Sequence, residues 1–560
     1  MSTDQRTART EIAAPAWRER VVLGALWVVG GVPVLLALAE VFRAPRLNFN
    51  DFWLVLGMTT RPDGAFDISK TTTLMQGQPM ELVSIVYWLD ARLFAGSNQA
   101  LGVFTVLLSL AALAAMAAML RTRFTGRTRV AVLAGLSALV FSSAAITYFG
   151  IGMMGAWWLL GLTPAVIAIA FAHHGRTLPA TVFGALACLG HGTGLPVWAA
   201  LVLVAWLRRD SRWRLLVPAI AGAVTATLWL LAPGGTGPKR PDVIGADTLL
   251  ATTLATLGKI WSSASPDLAI LAGALTAAIL AAIATTLAAE RLRPAEPTRP
   301  HDAGWAGLAA HTAIAAAMIG VSRGGYGTAE GLAPRYAALS LLFTAAVLVL
   351  ALSRGPRTVR AHAVPITLAV ALASYGIGTG NAAETRRQYP FTPTLAVAMR
   401  LDAPHMISRN YAYPGHIGIL RTLRVYPFTD DFTLGCGGPE LGHHIDLATV
   451  RDLPGPGAGT TTVGHIETPG GVTGDTDISG WAMINGEQAA CVLVVDPAGT
   501  VVGGGATGLP RRDIITSGTV WGTGRAGWQA VAKPGTDDGA VLLRHGDTYY
   551  RVTSGTEPAP

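Results

Sequence analysis

The residue best suited to chemistry in this 560-residue chain is Asp51, in the stretch LNFNDFWLVLGM. A carboxylate so close to the end of an apolar run is expensive unless it meets water, a partner or a substrate. Phe49, Phe52 and Trp53 beside it are of the kind that settles at a membrane–water interface. As a general base, Asp51 would take the proton of an attacking hydroxyl. The competing reading is a helix cap: Asn50-Asp51 precedes the helix-like run FWLVLGM, and Asp is a favoured cap. A second group lies in SRGGYGTAEGLAPRY, where Arg323 and Arg335 flank a glycine-rich turn with Tyr326 and Tyr336. Arginine grips a phosphate through paired hydrogen bonds, and glycine lets backbone come close. Arginines near helix ends also snorkel to the interface with no ligand. His191, in HGTGLP, contacts a diphosphate, serves as a polar lid at the outer end of two short helices, or is structural in the turn, as a lone His in a turn more often is. Glu81 is a further acid able to line such a site. His443 and His444 lie near Cys436, but their spacing fits no familiar zinc pattern. No metal site and no cofactor are expected, although the sequence leaves a divalent ion open.

The chain that must position these groups is 51% hydrophobic and only 14% charged, with a mean hydropathy of +0.43. Soluble chains carry about 25% charged residues, so this is a polytopic α-helical membrane protein. The net charge of +8 comes largely from arginine clusters between apolar runs, and no nucleic-acid partner is expected. About eleven membrane segments are read: 21–41, 100–120, 130–149, 157–172, 179–190, 195–207, 215–231, 268–289, 305–321, 337–352 and 364–378. The segments 179–190 and 195–207 are short against the ~20 residues a span needs. They form two short spans or a re-entrant pair.

Arg6, Arg9, Arg18 and Arg20, then RTRFTGRTR, LRRDSRWR and ERLRP, place residues 1–20 and alternate loops in the cytoplasm. The loop 42–99, with Asp51, then faces outward. Within it, 80–94 reads as an amphipathic helix at the interface. Residues 233–266 read as a polar loop that includes Lys239, Arg240, Asp242 and Lys259.

The membrane domain spans 21–381. Residues 382–462 are read as an extracytoplasmic connecting region that packs on the outer face and ends in the linker DLPGPGAGTTT. Residues 463–560 alternate in short strands, among them DISGWAMI, CVLVVDP and AVLLRHG, separated by turn signals. That pattern predicts a C-terminal extracytoplasmic β-sandwich. An outside location permits a disulfide between Cys436 and Cys491, with two buried thiols as the alternative. Trp481 and Trp528 begin apolar alternations as core residues would. Aromatic rings such as Trp521, Tyr549 and Tyr550 are also able to stack on sugars.

This order of features resembles the GT-C superfamily of polyprenyl-phosphate-dependent glycosyltransferases. Several stretches are also similar to an uncharacterised group of bacterial GT-C-like membrane proteins: NFNDFW, LDARLFAGSNQ, HGTGLPVWAALVLVAWLRR and SRGGYGTAEGLAPRYAALSLLF. The resemblance implies that Asp51 is the catalytic base, and that Arg335 and Tyr336, with Arg323, hold the donor phosphate. It implies an inverting transfer from a polyprenyl-phosphate sugar to a cell-envelope glycan or lipid, on the outer side of the plasma membrane. Where that group carries Glu-His-Arg before the second span, this chain reads Gln78-Pro79-Met80-Glu81, so only the acid is kept. Two other classes compete. A lipid-linked sugar transporter would carry ionisable groups within several spans and an internal repeat; here His311 stands nearly alone and no repeat is seen. A non-catalytic envelope scaffold, or a glycan-binding protein, would keep the topology without needing Asp51.

Overall fold

The computed structural model describes residues 16–75, 77–233, 245–262, 264–293, 300–409, 412–455, 461–468, 477–511, 513–514, 524–536 and 538–552. Arg6, Arg9, Lys239, Arg240, Asp242 and Trp521 lie outside the described residues. Within them, nine helices are long and apolar enough to cross a membrane, and the chain is a multi-pass membrane protein.

Helix α1 (Ala16–Arg43) leads into a loop holding two shorter helices, α2 (Asp51–Thr59) and α3 (Glu81–Phe94), before α4 (Asn98–Leu120) crosses again. The run 126–150 forms one span from α5 (Gly126–Val140) and α6 (Ile146–Gly150), and α7 (Gly152–His173) follows. Next come α8 (Thr177–Gly190), α9 (Val197–Leu207) and α10 (Arg212–Leu231). Nine long helices stand where eleven segments were expected, because α8 and α9 have 14 and 11 residues. At 1.5 Å per residue they reach about 21 and 17 Å, short of the ~30 Å apolar core.

The expected polar loop 233–266 instead contains α11 (Ala246–Gly258), ADTLLATTLATLG, packed on α12 (Pro266–Leu292) and α13 (Ala303–Arg323). Its low hydropathy hides a helix whose small residues allow close approach. A Cβ at Gly258 would lie 1.9 Å from the Ala269 carbonyl oxygen, and one at Gly273 would lie 2.0 Å from that of Leu254. The bundle is completed by α14 (Ala337–Arg354), α15 (Arg357–Ala361) and α16 (Ala363–Arg387).

The arginine clusters meet at one end of this bundle. Arg123 donates to the Ser353 carbonyl at 2.7 Å, Arg291 to that of Trp206 at 2.6 Å, and Arg208 to that of His173. Arg354 pairs with Asp302 at 2.7 Å and Glu290 at 2.9 Å. The opposite end holds the first loop. There the first and last long helices are tied by buried Glu40, which accepts from Arg386 at 2.5 Å and from the Tyr389 hydroxyl at 2.9 Å.

At that same end, α17 (Thr392–Leu401), α18 (Pro404–Arg409) and α19 (Ile417–Thr422) lie between the first loop and a β-sheet. One apolar core joins Phe52, Trp53 and Tyr87 of the loop to Leu395, Ile417 and Leu420, and then to Leu493, Val531 and Leu542 of the sheet. The strands are β1 (Arg451–Leu453), β2 (Val463–Ile466), β3 (Asp477–Met483), β4 (Cys491–Val495), β5 (Val501–Leu509), β6 (Gly527–Ala532), β7 (Ala540–His545) and β8 (Thr548–Val552). Their order is β1-β8-β7-β4-β5-β6-β3-β2, antiparallel except for the parallel pair β1/β8.

The two sheets expected of a sandwich are therefore one hydrogen-bonded sheet among the described residues. It curls, because Leu453 and Val552 from one edge share a core with Ile478 and Ala482 from the other. The strand period of two divides its faces. Cys491, Leu493 and Val495 face the helices, whereas Val492 and Val494 face the curled interior with Trp528. Trp481 and Trp528 are buried, as their alternation predicts.

Candidate active site at the first-loop end

Two sequence motifs lock together to place Asp51. The Asn48 side chain donates to the Gly96 carbonyl at 2.8 Å. Asn98 donates to the carbonyls of Pro45 and Gly150 at 2.9 and 3.0 Å, and accepts from the Gly152 N–H at 2.7 Å. Gln99 adds a bond to the Ala44 carbonyl at 2.8 Å. NFND and GSNQ are thus two halves of one junction between α1, α4 and α7. The chain then turns through Asn50, whose φ of 25° is one that non-glycine residues rarely adopt.

Asp51 is the first residue of α2. Asn50 holds the cap position and makes no capping hydrogen bond through its side chain. Among the described residues the Asp51 carboxylate accepts no hydrogen bond either, so it does not serve as the cap. Phe52 and Trp53 anchor the helix at 0% and 1% exposure, and the Phe52 ring lies 5.0 Å from that of Tyr87.

Burial raises the Asp51 carboxyl above the ordinary aspartate range, and the positive charge of Arg335 partly opposes that shift. Arg335 arrives from a short turn, Pro334–Tyr336, that opens α14. Its guanidinium pairs with Glu330 at 3.1 Å and lies 5.2 Å from the centre of the Tyr336 ring. Its carbonyl accepts from the Tyr148 hydroxyl. Tyr336 packs edge-on against Trp158 at 5.4 Å, and Trp158 lies 4.3 Å from the His191 ring. The His191 Nδ1 shares a hydrogen bond with Thr193 at 2.8 Å, and the next N–H, of Gly192, donates to Gln78 Oε1 at 2.9 Å. A chain of contacts therefore runs from Arg335 through Tyr336 and Trp158 to His191 and back to the first loop.

The other expected residues sit on neighbouring elements. Arg323 ends α13, and Tyr326, 44% exposed, sits in the turn Gly324–Tyr326 that packs on α11. The charges bearing on Arg335 are those of Tyr336, Glu330 and Asp51. Glu81 opens α3; its Oε2 is buried without a hydrogen-bond partner, and burial raises its carboxyl. Among the described residues no group of three or more His, Cys, Asp or Glu could hold a metal, His443 and His444 included. Cys436 and Cys491 are joined in a disulfide with a Cα–Cα distance of 5.3 Å, linking the connecting region to β4.

Asp90, by sequence only a polar position of the interfacial helix expected over 80–94 with no chemistry assigned to it, takes a different place in the structure. It lies one turn beyond Tyr87 on the buried face of α3 and is 4% exposed. Burial pushes its carboxyl up to about 8; the Ser97 backbone N–H opposes the shift without forming a normal hydrogen bond. The charges of both Asp51 and Asp90 bear on Tyr87. A signal was available: Ile85, Leu89 and Leu93 form an exposed apolar stripe on α3. With that face given to the membrane, Tyr87 and Asp90 must face protein. Glu330 and Trp158 carried no local signal.

No protein-family model matches the chain, and no curated protein matches it. Among solved structures it is similar to the oligosaccharyltransferase of Archaeoglobus fulgidus, crystallised in complex with Zn and sulfate. The TM-score is 0.37 at 13% identity, over 73% of this chain and 58% of that one. The chain thus spans less than two thirds of that enzyme's length.

Proposed function

We propose that this chain is a membrane glycosyltransferase of the GT-C kind, moving a sugar from a polyprenyl-phosphate donor to a cell-envelope glycan or lipid. The observation that supports the reading is buried Asp51 lying within electrostatic reach of Arg335, at the end of the bundle opposite the arginine loops. An acid held above its ordinary pKa is a better base near neutral pH than an exposed aspartate. The acceptor hydroxyl oxygen attacks the anomeric carbon while Asp51 takes its proton. The bond from that carbon to the phosphate oxygen breaks, and the polyprenyl phosphate leaves with the electron pair. Arg335 stabilises the charge that develops on it. One displacement inverts the anomeric centre. The ion pair with Glu330 suits this role, since it keeps an anion on Arg335 until a phosphate takes its place.

Two features support a reaction on the outer side of the plasma membrane. The arginine loops lie at the end away from Asp51, as the positive-inside bias requires. The Cys436–Cys491 disulfide lies on the Asp51 side, and such bonds persist in oxidising compartments. The test is Asp51→Asn in membranes supplied with a polyprenyl-phosphate sugar. Product formation should fall about 10²–10⁴-fold, as expected for a lost general base, with unchanged membrane insertion. Unchanged turnover would remove Asp51 as the base. Glycan analysis of a deletion strain identifies the acceptor.

A further inference from the structure

At the arginine end, far from Asp51, α4 and α7 leave between them a cavity of about 620 Å³. That lies within the ~300–1,000 Å³ of small-ligand sites. Its floor is Ala111, Ala115 and Ala118 of α4, whose small side chains keep the groove open, and Phe171 of α7 forms a wall. Arg121 and Arg176 stand at its rim. Both are exposed, and neither side chain makes a hydrogen bond or ion pair among the described residues. Several arginines of this end are engaged, Arg123 with a carbonyl, Arg208 and Arg214 with Asp210, and Arg354 with Asp302 and Glu290, while others face solvent. No carboxylate lines the cavity.

We propose that this groove binds an anionic phospholipid, with the phosphate between Arg121 and Arg176 and the start of an acyl chain along the alanine floor. The rim supplies the charge complementarity that basic pockets between membrane helices offer to lipid headgroups. The apolar floor distinguishes a lipid from a free anion. So does the outward face of α4 above it, where Leu107 is 57% exposed and therefore lipid-facing. Cations also stabilise helix C-termini, and both arginines follow one. That effect accounts for the charges but not for the open groove, and it predicts no preference among lipids.

The test uses the full-length protein in phosphatidylcholine nanodiscs with increasing phosphatidylglycerol, reading bound lipid by native mass spectrometry and the unfolding midpoint in parallel. Phosphatidylglycerol should bind saturably and raise the midpoint. Replacing Arg121→Gln and Arg176→Gln should weaken binding about five-fold per arginine, with the midpoint in pure phosphatidylcholine little changed. Ala115→Leu, which fills the floor and leaves the rim charges in place, should also abolish saturable binding. Equal binding by the double variant or by Ala115→Leu overturns the proposal, as does equal protection by inorganic phosphate. A loss of stability identical in both lipids, with binding unchanged, assigns the arginines to the helix ends alone and likewise overturns it.

Discussion

Arg335 meets an acid on one side and an aromatic face on the other, and both contacts bear on how it would release and grip a donor. Its ion pair with Glu330 joins side chains that are each 37% exposed, where such pairs contribute at most about 1 kcal/mol. A phosphate can therefore displace it at small cost. Glu330→Gln should lower the donor KM several-fold with little change in kcat, because the competing contact exists only in the ground state. Arg335→Lys should raise the donor KM, since an ammonium cannot reproduce the planar paired contact. A rise in KM for Glu330→Gln would instead make Glu330 a positioning residue. The same guanidinium holds down the Asp51 pKa. Arg335→Gln removes that charge, so the acid limb of the pH–rate profile should move to higher pH; a downward shift would break the proposed coupling between the two groups.

The elements around Asp51 show what local patterns reveal and where they stop. NFND and GSNQ stand out as polar interruptions, but their mutual hydrogen bonds belong to the junction of three helices and are invisible in either stretch. The amphipathic reading of α3 is sound for Ile85, Leu89 and Leu93. It fails for Asp90, which looks like a solvated charge until its neighbours Tyr87 and Ala91 prove to face protein. Seven strands follow from period-two alternation; β1 does not, because its three residues, two of them in an expected linker, pair with distant β8. Asp90 yields a measurable consequence. Its carboxyl stays protonated in the folded chain up to about 8 but ionises above about 4 when unfolded. The folded state binds more protons across that window, so stability is greatest below it and declines as pH rises through it. Thermal inactivation in detergent should therefore show a lower midpoint at pH 8 than at pH 5. Asp90→Asn should flatten that slope, and an unchanged slope would show that Asp90 does not cause it.

At the scale of the whole molecule, the shared core of Phe52, Ile417 and Leu493 makes the C-terminal sheet part of the bundle's first-loop end rather than a tethered module. A chain cut near residue 381 would leave Phe52, Trp53 and Tyr87 without cover, and α2 would lose the packing that holds Asp51 in place. Topology ties these pieces to one side of the membrane. Among the described residues the arginine loops after α4, α9, α12 and α14 meet at the other end, through Arg123, Arg208, Arg291 and Arg354, so one orientation satisfies these loops at once. A periplasmic-type reporter fused after Pro560 should be active, and the same reporter fused within the loop after α4 should be silent. In non-reducing gels, Cys436→Ser and Cys491→Ser should each remove a mobility shift seen in the parent chain. Both should also lower the unfolding midpoint, as expected for the roughly 2–5 kcal/mol that such bonds contribute in small secreted domains. An active reporter after α4 would invert the scheme. It would place Asp51, the disulfide and the proposed donor site together in the reducing compartment, where the bond would not persist, and the catalytic proposal would fall with it.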